Sequence, residues 1–374
     1  MKDHSTPLHS RREALQKISL GLGALAIGAP SAETWAGIPA VGQDRKLGVA
    51  LVGLGNYSTL QLAPALQETK FCRLAGIVTG SPEKAASWSK QYNIPAKNIY
   101  NYDNFDQIRN NPDIDIVYVV LPNAMHAEYT IRAARAGKHV ICEKPMALTV
   151  KDCERMVAAC KEAKRQLSVG YRLYFEPHHL EARRLGTEGV FGKVKIVEAS
   201  LGFSMANPKS WRLDKKLGGG GALVDLGLYA MQGARRVIGE EPVSVTAQGF
   251  VRDKAIFKDI YETVFWQMEF PSGALSNHST SYTSYVDRLY ATAEKGWFSL
   301  SPAFNATGTK GDTANGPMSF SAPKYQQIAQ MDDFATCILQ GKKTLVSGEE
   351  AIKDIRIIEA IFQSLESGGK VKLA

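Results

Sequence analysis

The 374-residue chain predicts an α/β protein in two parts: a parallel sheet with helices between its strands, then an α/β half on an open, mainly antiparallel sheet. Three observations carry this. From Lys46 to Gly170, short apolar runs alternate with helical patterns, the order that crossover connections between parallel strands require. From Tyr171 onward, alternating strand patterns follow one another. Pro271-Ser272-Gly273 and Lys295-Gly296 join neighbouring runs as hairpins.

Composition narrows the class. With 44% apolar and 22% charged residues, disorder and fibrous classes are excluded. The formal charge of +8 is spread without a Lys/Arg block or a basic stripe interleaved with aromatics, so a nucleic-acid partner is not expected. Cys72, Cys142, Cys153, Cys160 and Cys337 are odd in number, lack metal-ligand spacing and lie in apolar patterns, as buried thiols do. Cys153 and Cys160 share a helix face, but at 1.5 Å per residue they stand about 10 Å apart, too far for a disulfide. At the start, Arg11-Arg12 precedes the short glycine-rich apolar run ISLGLGALAIGAP, which looks like a twin-arginine export signal over residues 1–36. The run is too short and weak to span a bilayer, so no stable membrane insertion is expected. Residues 37–45 read as an extended arm.

The opening strand, Leu47 to Val52, is apolar and ends in Gly53-Leu54-Gly55-Asn56-Tyr57-Ser58, a sharp turn into a helix. A dinucleotide suits such a turn. Gly53 allows the bend, Gly55 lets backbone approach the pyrophosphate, and the first helical N–H groups hold the phosphates. Ser58 replaces the third glycine of this fingerprint. The helix runs from Thr59 to about Glu68, with a kink expected at Pro64. A second strand, Cys72 to Thr79, ends in Thr79-Gly80-Ser81-Pro82-Glu83-Lys84. NAD sites place an acid there for the ribose 2′-hydroxyl; its absence, with Thr79 and Ser81 as hydrogen-bonding groups and Lys84 as a cation, points to the 2′-phosphate of NADP. Ser81-Pro82 also starts a helix.

Tyr100-Asn101-Tyr102 precedes a short helix, Asp103 to Asn110, and the strand Ile114 to Leu121 ends in Pro122-Asn123-Ala124-Met125-His126. Ligands bind outside such carboxyl ends of parallel strands. After the helix Ala127 to Gly137, the strand His139 to Cys142 ends in Glu143-Lys144-Pro145-Met146. A charged pair at the mouth of a buried sheet is costly unless it is used. Lys144–Pro145 is a candidate cis peptide. The helix Thr149 to Lys164 and the strand Leu167 to Val169 complete this half.

The second half opens with a helix from Pro177 to about Gly189. Strands follow at Lys193 to Ser204, Val243 to Arg252, Thr263 to Phe270, Ala274 to Thr283, Arg288 to Glu294 and Trp297 to Leu300. The helix Ala222 to Ile238 interrupts them, introduced by Gly218 to Gly221, which would let backbone approach a ligand closely. Asp225 and Tyr229, one helical turn apart, can point together into one cleft. Residues 302–322 read as a loop, and amphipathic helices occupy about 324–340 and 348–366. His178-His179 lacks the third ligand of a zinc site, so no metal is expected.

GLGNYS, TGSPEK, LPNAMHAE, CEKPMA, YRLYFEPHH, WRLD and GGGGALVDLGLY resemble, in order and spacing, the glucose–fructose oxidoreductase/inositol dehydrogenase (Gfo/Idh/MocA) superfamily. The twin-arginine signal is similar to that of its periplasmic branch. The resemblance implies a Rossmann NADP-binding domain over 46–169 and a substrate-binding and oligomerisation domain over 170–374. It makes Lys144 the residue that orients substrate and polarises its oxygen, and Tyr229 the acid/base, with Asp225 beside it. For the cofactor it implies the glycine loop with Thr79, Gly80, Ser81, Lys84 and Tyr102, then Leu121, Pro122, Asn123, His126, Glu143 and Lys144, and from the second half Arg172, Trp211 and Arg212. It further implies sugar substrates, a homo-oligomer whose arms wrap neighbouring subunits, and a periplasmic enzyme that retains its NADP. Such an enzyme oxidises one aldose at C1 to the lactone and reduces a second sugar carbonyl. A conventional dehydrogenase, a redox-assisted glycosidase and a non-catalytic NADP sensor are the alternatives. The sensor would not need both Lys144 and Tyr229, and the glycosidase needs a further acid/base histidine that the sequence does not place.

Overall fold

The computed structural model describes residues 45–205 and 207–373; the expected export signal and all of the arm except Arg45 lie outside the described residues. Arg45 pairs with Asp115 at 2.6 Å.

The first sheet is parallel throughout and centres on β1 (Leu47–Val52). Its other strands are β2 (Cys72–Val78), β3 (Ile99–Tyr100), β4 (Ile116–Val119), β5 (His139–Cys142) and β6 (Leu167–Val169), in the order β3-β2-β1-β4-β5-β6. Every residue of β1 is buried because both faces of the sheet are covered, which is why the strand reads as an unbroken apolar run. Leu47, Val49 and Leu51 face one core and Ala50 and Val52 the other. The strand order reverses between β1 and β4, so their carboxyl ends open a crevice for a ligand.

The helices follow the sequence with local changes. Ser58–Leu62 forms a wide π-type turn before α1 (Ala63–Glu68), which leaves Pro64 in the first turn of the α-helical part, where its missing N–H is tolerated. The hydroxyl of Ser81 caps α2 (Pro82–Tyr92), and Thr149 caps α4 (Val150–Glu162). Between them lies α3 (His126–Arg135). The short helix expected from Asp103 is a 3₁₀ segment, Phe105–Asn110, and the two-residue β3 was not foreseen.

After α5 (Pro177–Thr187) the second sheet begins with β7 (Val194–Gly202). The short α6 (Lys215–Gly218) and then α7 (Leu228–Ile238) intervene before β8 (Ser244–Phe250), β9 (Thr263–Glu269), β10 (Leu275–Ser281), β11 (Val286–Ala293) and β12 (Gly296–Leu300). The expected loop 302–322 contains two further strands, β13 (Gly311–Thr313) and β14 (Gly316–Pro317). After α8 (Gln327–Gln340) and α9 (Gly348–Ser367), β15 (Val371–Lys372) pairs with β8. The order is β14-β13-β12-β11-β7-β10-β9-β8-β15, and only β7 and β10 pair in parallel. One face packs on helices; the other exposes Ile196, Phe250, Phe265 and Leu275.

Although α8 follows β7 to β14 of the second sheet in the chain, it packs on the first. Met331, Phe334, Ala335 and Ile338 join Leu47, Val49 and Leu51 in one core. Asp332 accepts the backbone N–H of Lys70, 262 positions away. Cys72, Cys142, Cys153 and Cys160 are buried free thiols, and Cys337 is half-buried; burial pushes Cys153 and Cys160 up to about 12. No helix among the described residues is long and apolar enough to cross a membrane.

Candidate active site

The glycine loop closes the carboxyl end of β1. Gly53 has φ +93°, and a Cβ there would stand 2.3 Å from the Val120 carbonyl and 2.9 Å from Leu121, so only glycine fits. At Gly55 a Cβ would meet nothing within 4 Å. That open space beside the first turn of the helix is a cradle for a pyrophosphate. Lys84 reaches across from α2, its Nζ donating to the Leu54 carbonyl at 2.9 Å, which sets a cation beside the loop on the side of β2. Thr79 Oγ1 accepts the Ser81 N–H at 3.2 Å, and the Tyr102 ring covers Gly80 at 3.2 Å from where a Cβ would stand. These residues fit an NADP molecule. Gly55, Asn56 and Tyr57 would hold its pyrophosphate, and Thr79, Ser81 and Lys84 its 2′-phosphate.

Some expected cofactor ligands are occupied otherwise. Ser58 is fully buried and donates to the Gly53 carbonyl at 2.6 Å, so it braces the loop instead of facing a phosphate. Both ring nitrogens of buried His126 lie 2.8 Å from backbone carbonyls, those of Pro145 and Leu121, and burial pushes its pKa down. It ties two loops together. Asn123 donates to the Gly218 carbonyl at 2.8 Å, linking the halves across the crevice. Arg172 is not a free cation: its guanidinium is buried and donates to the carbonyls of Asn305 at 3.1 Å and Phe304 at 2.5 Å and to the amide of Gln326. The glycine run is likewise filled by protein. A Cβ at Gly219 would meet Leu148 at 2.3 Å and one at Gly220 the Phe362 ring at 2.4 Å, so the run is a packing seam.

Chemistry concentrates where β5 meets the helix of the second half. The Lys144–Pro145 peptide is cis, and Lys144 Nζ donates to the Asp225 carbonyl at 2.7 Å and to its Oδ1 at 3.2 Å. Asp225 Oδ2 accepts from Arg212 Nε and from Tyr282 OH, each at 3.0 Å. Arg212 also stacks on Trp211 at 4.5 Å. Lys144 Nζ lies 4.5 Å, and the Arg172 guanidinium carbon 5.1 Å, from the centroid of the Tyr229 ring. Asp225 and Tyr229 therefore do meet at one place, although the turn between them, Leu223–Gly227, is a wide π-type turn, a form frequent at functional sites.

The charges are fixed by their neighbours. Burial opposes ionisation of Asp225, but Lys144, Arg212 and the hydrogen bonds from Lys144 and Tyr282 outweigh it and hold its carboxyl below the usual range. Burial also opposes the charge on Lys144, yet Tyr229, Asp225 and Glu143 raise its pKa. Glu143, buried at the same strand end, has its pKa raised by burial despite the hydrogen bond from Tyr118. An ion-paired carboxylate with three side-chain donors is a poor base, and the Tyr229 ring packs against both Lys144 and Arg172.

Sequence reasoning missed Tyr282, which sits in a strand pattern and shows nothing but alternation. His178 and His179 are structural: they bond to Glu176 at 2.8 Å and to the Ala303 carbonyl at 2.7 Å. Among the described residues no group of three His, Cys, Asp or Glu side chains is arranged to hold a metal ion.

Comparison with known proteins agrees with this layout. Residues 47–171 match the oxidoreductase family with NAD-binding Rossmann fold, 179–313 the GFO/IDH/MocA C-terminal domain, and 315–373 the family's C-terminal alpha/beta domain. The chain is 43% identical to the aldose-aldose oxidoreductase from Caulobacter crescentus, solved in complex with glycerol. The TM-score is 0.85, over 88% of this chain and 100% of that one. It is 28% identical to D-xylose 1-dehydrogenase [NADP(+)] of Haloarcula marismortui over 88% of this chain and 94% of that protein. It is 27% identical to inositol 2-dehydrogenase of Rhizobium meliloti over 87% and 98%. From its glycine loop to its last helices, the chain belongs to the Gfo/Idh/MocA oxidoreductase family.

Proposed function

We propose that this protein is an exported, NADP-containing sugar oxidoreductase that oxidises an aldose at C1 to the lactone and returns the hydride to a second sugar carbonyl without releasing its nucleotide. The observation that carries the reading is the cluster of Lys144, Asp225 and Tyr229 at the carboxyl end of β5, on the same edge of the parallel sheet as a glycine loop with an open cradle. A bound nicotinamide would supply the hydride acceptor and donor. Tyr229 takes the O1 proton as the alcohol becomes a carbonyl and returns one when the second carbonyl is reduced. Lys144 holds the reacting oxygen, and Asp225 holds Lys144. NADP is favoured by Lys84 and by the missing acid after β2. Retention is favoured by the twin-arginine pair, because a folded protein exported to a compartment without free NADP must recycle what it carries. The likeness to the Caulobacter enzyme supports the pairing of two aldoses. The apolar sheet face of Ile196, Phe250, Phe265 and Leu275 supports assembly with further copies of the chain.

A second reading, a dehydrogenase that releases its nucleotide each turn, is favoured by the likeness to the NADP-dependent xylose enzyme. One experiment separates them. The protein is purified without added nucleotide, its small-molecule content is weighed by mass spectrometry, and the nicotinamide band is followed on adding an aldose and then a second sugar. Co-purifying NADP that is reduced by the first addition and reoxidised by the second supports retention. A nucleotide-free protein that turns over only with added NADP supports the dehydrogenase.

A further inference from the structure

The start of α8 carries three glutamines, Gln326, Gln327 and Gln330, each at most 1% exposed. Their spacing puts them on one side of the helix. Burying three primary amides is unfavourable unless each is bonded, and each of these reaches a different residue of the site. Gln326 accepts from Arg172. Gln327 Nε2 donates to Tyr57 OH, in the glycine loop, at 3.0 Å. Gln330 Nε2 donates to Tyr118 OH at 3.0 Å, and Tyr118 OH donates to Glu143 Oε1 at 2.7 Å. The last leg is a directed chain. Tyr118 has one proton and gives it to the carboxylate, so it accepts from the amide of Gln330.

Packing alone does not explain the row. Leucine or methionine would fill the same volume against Met331 and Phe334, whereas the glutamines leave two buried oxygens, Gln327 Oε1 and Gln330 Oε1, without a partner among the described residues. What the amides hold are residues of both halves that pack beside Lys144 and Tyr229. Glu143 lies against Gly170, where a Cβ would stand 2.6 Å from Oε1, and its Oε2 accepts the Lys144 N–H at 3.3 Å. Arg172 lies against Tyr229.

Resting on the oxidoreductase reading above, we propose that this glutamine row positions the hydride-transfer site: Gln330 acts through Tyr118 on Glu143, Gln326 on Arg172 and Gln327 on Tyr57. None of the three touches the reacting atoms. They are positioning residues, and Gln330 with Tyr118 forms a series link that fails as a whole when either member is removed.

The test compares wild type, Gln330→Met, Tyr118→Phe and the double variant in three readouts: single-turnover reduction of bound NADP by an aldose, emission of bound NADPH, and thermal unfolding. A series link slows each single variant about tenfold, the order expected when a reacting geometry slips by a fraction of an ångström, and the double variant is no slower than either single one. NADPH emission changes alike in all three variants. Wild-type rates and emission with only an altered melting temperature overturn the proposal, as does a double variant whose loss is the product of the single losses. If wild type itself shows no aldose-dependent reduction, the oxidoreductase reading fails, and the emission data still decide whether the row shapes the nicotinamide wall.

Discussion

Replacing Asp225 by Asn tests whether this carboxylate neutralises the cluster. The substitution keeps shape and an acceptor oxygen for Tyr282 but removes the charge that faces Lys144 and Arg212. Lys144 is the sensitive partner: its side chain is 11% exposed and retains only the Asp225 carbonyl at 2.7 Å as acceptor. Stranding a buried charge costs about 3–5 kcal/mol; Arg212, 39% exposed, adds little. At about 2 °C per kcal/mol for a large domain, the melting temperature at pH 7 should fall by about 6–10 °C. The assay is thermal unfolding of nucleotide-free protein from pH 3 to pH 11. Asp225 has a lowered pKa in the folded state, so its contribution is complete above its ordinary value of 3.8 and is lost as pH falls through the folded value. Lys144 has a raised pKa, so its share is complete below 10.5 and is lost as pH rises through the folded value above that. The gap between wild type and variant should therefore be wide from pH 5 to pH 9 and narrow towards both ends. A gap under about 1 °C at pH 7, on the same scale, or one that stays constant into acid, would refute the argument.

Other outcomes are as definite. Tyr229→Phe should slow single-turnover reduction of bound NADP by about 10²–10⁴-fold while leaving nucleotide content unchanged; a wild-type rate removes Tyr229 from the chemistry. Lys84→Ala should weaken NADP by about 1–3 kcal/mol and leave NAD affinity unchanged, as titration of both nucleotides would show. Gly55→Ala should keep the melting temperature but lose nucleotide, because its Cβ enters open space, whereas Gly53→Ala should lower stability by about 1–3 kcal/mol or more; unfolding scans with and without NADP distinguish them.

The parts of the fold written in periodicity were legible. Long apolar or alternating runs such as Leu47–Val52 and Thr263–Glu269 are strands wherever they are placed, and the capping residues Ser81 and Thr149 mark helix starts. The short strands β3, β13, β14 and β15 were not legible: unlike the equally short but wholly buried β6, which follows a helix in the βα alternation, they lie in polar or glycine-rich stretches and are defined by their partners. In the site, Lys144, Asp225 and Tyr229 carried their own signal through motif and spacing. Ser58, His126 and Arg172 look from the sequence like ligands of a bound group, yet the structure spends their polar atoms on backbone carbonyls. Tyr118 and Tyr282 were hidden as apolar members of strands, since a buried tyrosine announces its ring and not the partner of its hydroxyl.

The return of α8 to the first sheet also orders events in time. Strands β1 to β6 leave the ribosome first, but the helix that covers Leu47, Val49 and Leu51 is made only after strands β7 to β14 of the second sheet. Contacts such as Lys70 to Asp332, 262 positions apart, close a long loop and form late. The early half waits with one apolar face bare, a state that chaperones bind and that aggregates if left alone. A fragment ending at Gly170 should share that fate. Tyr57 and Tyr118 gain their partners on α8 at the same late moment, so the nucleotide pocket acquires its final wall only when synthesis has passed β14.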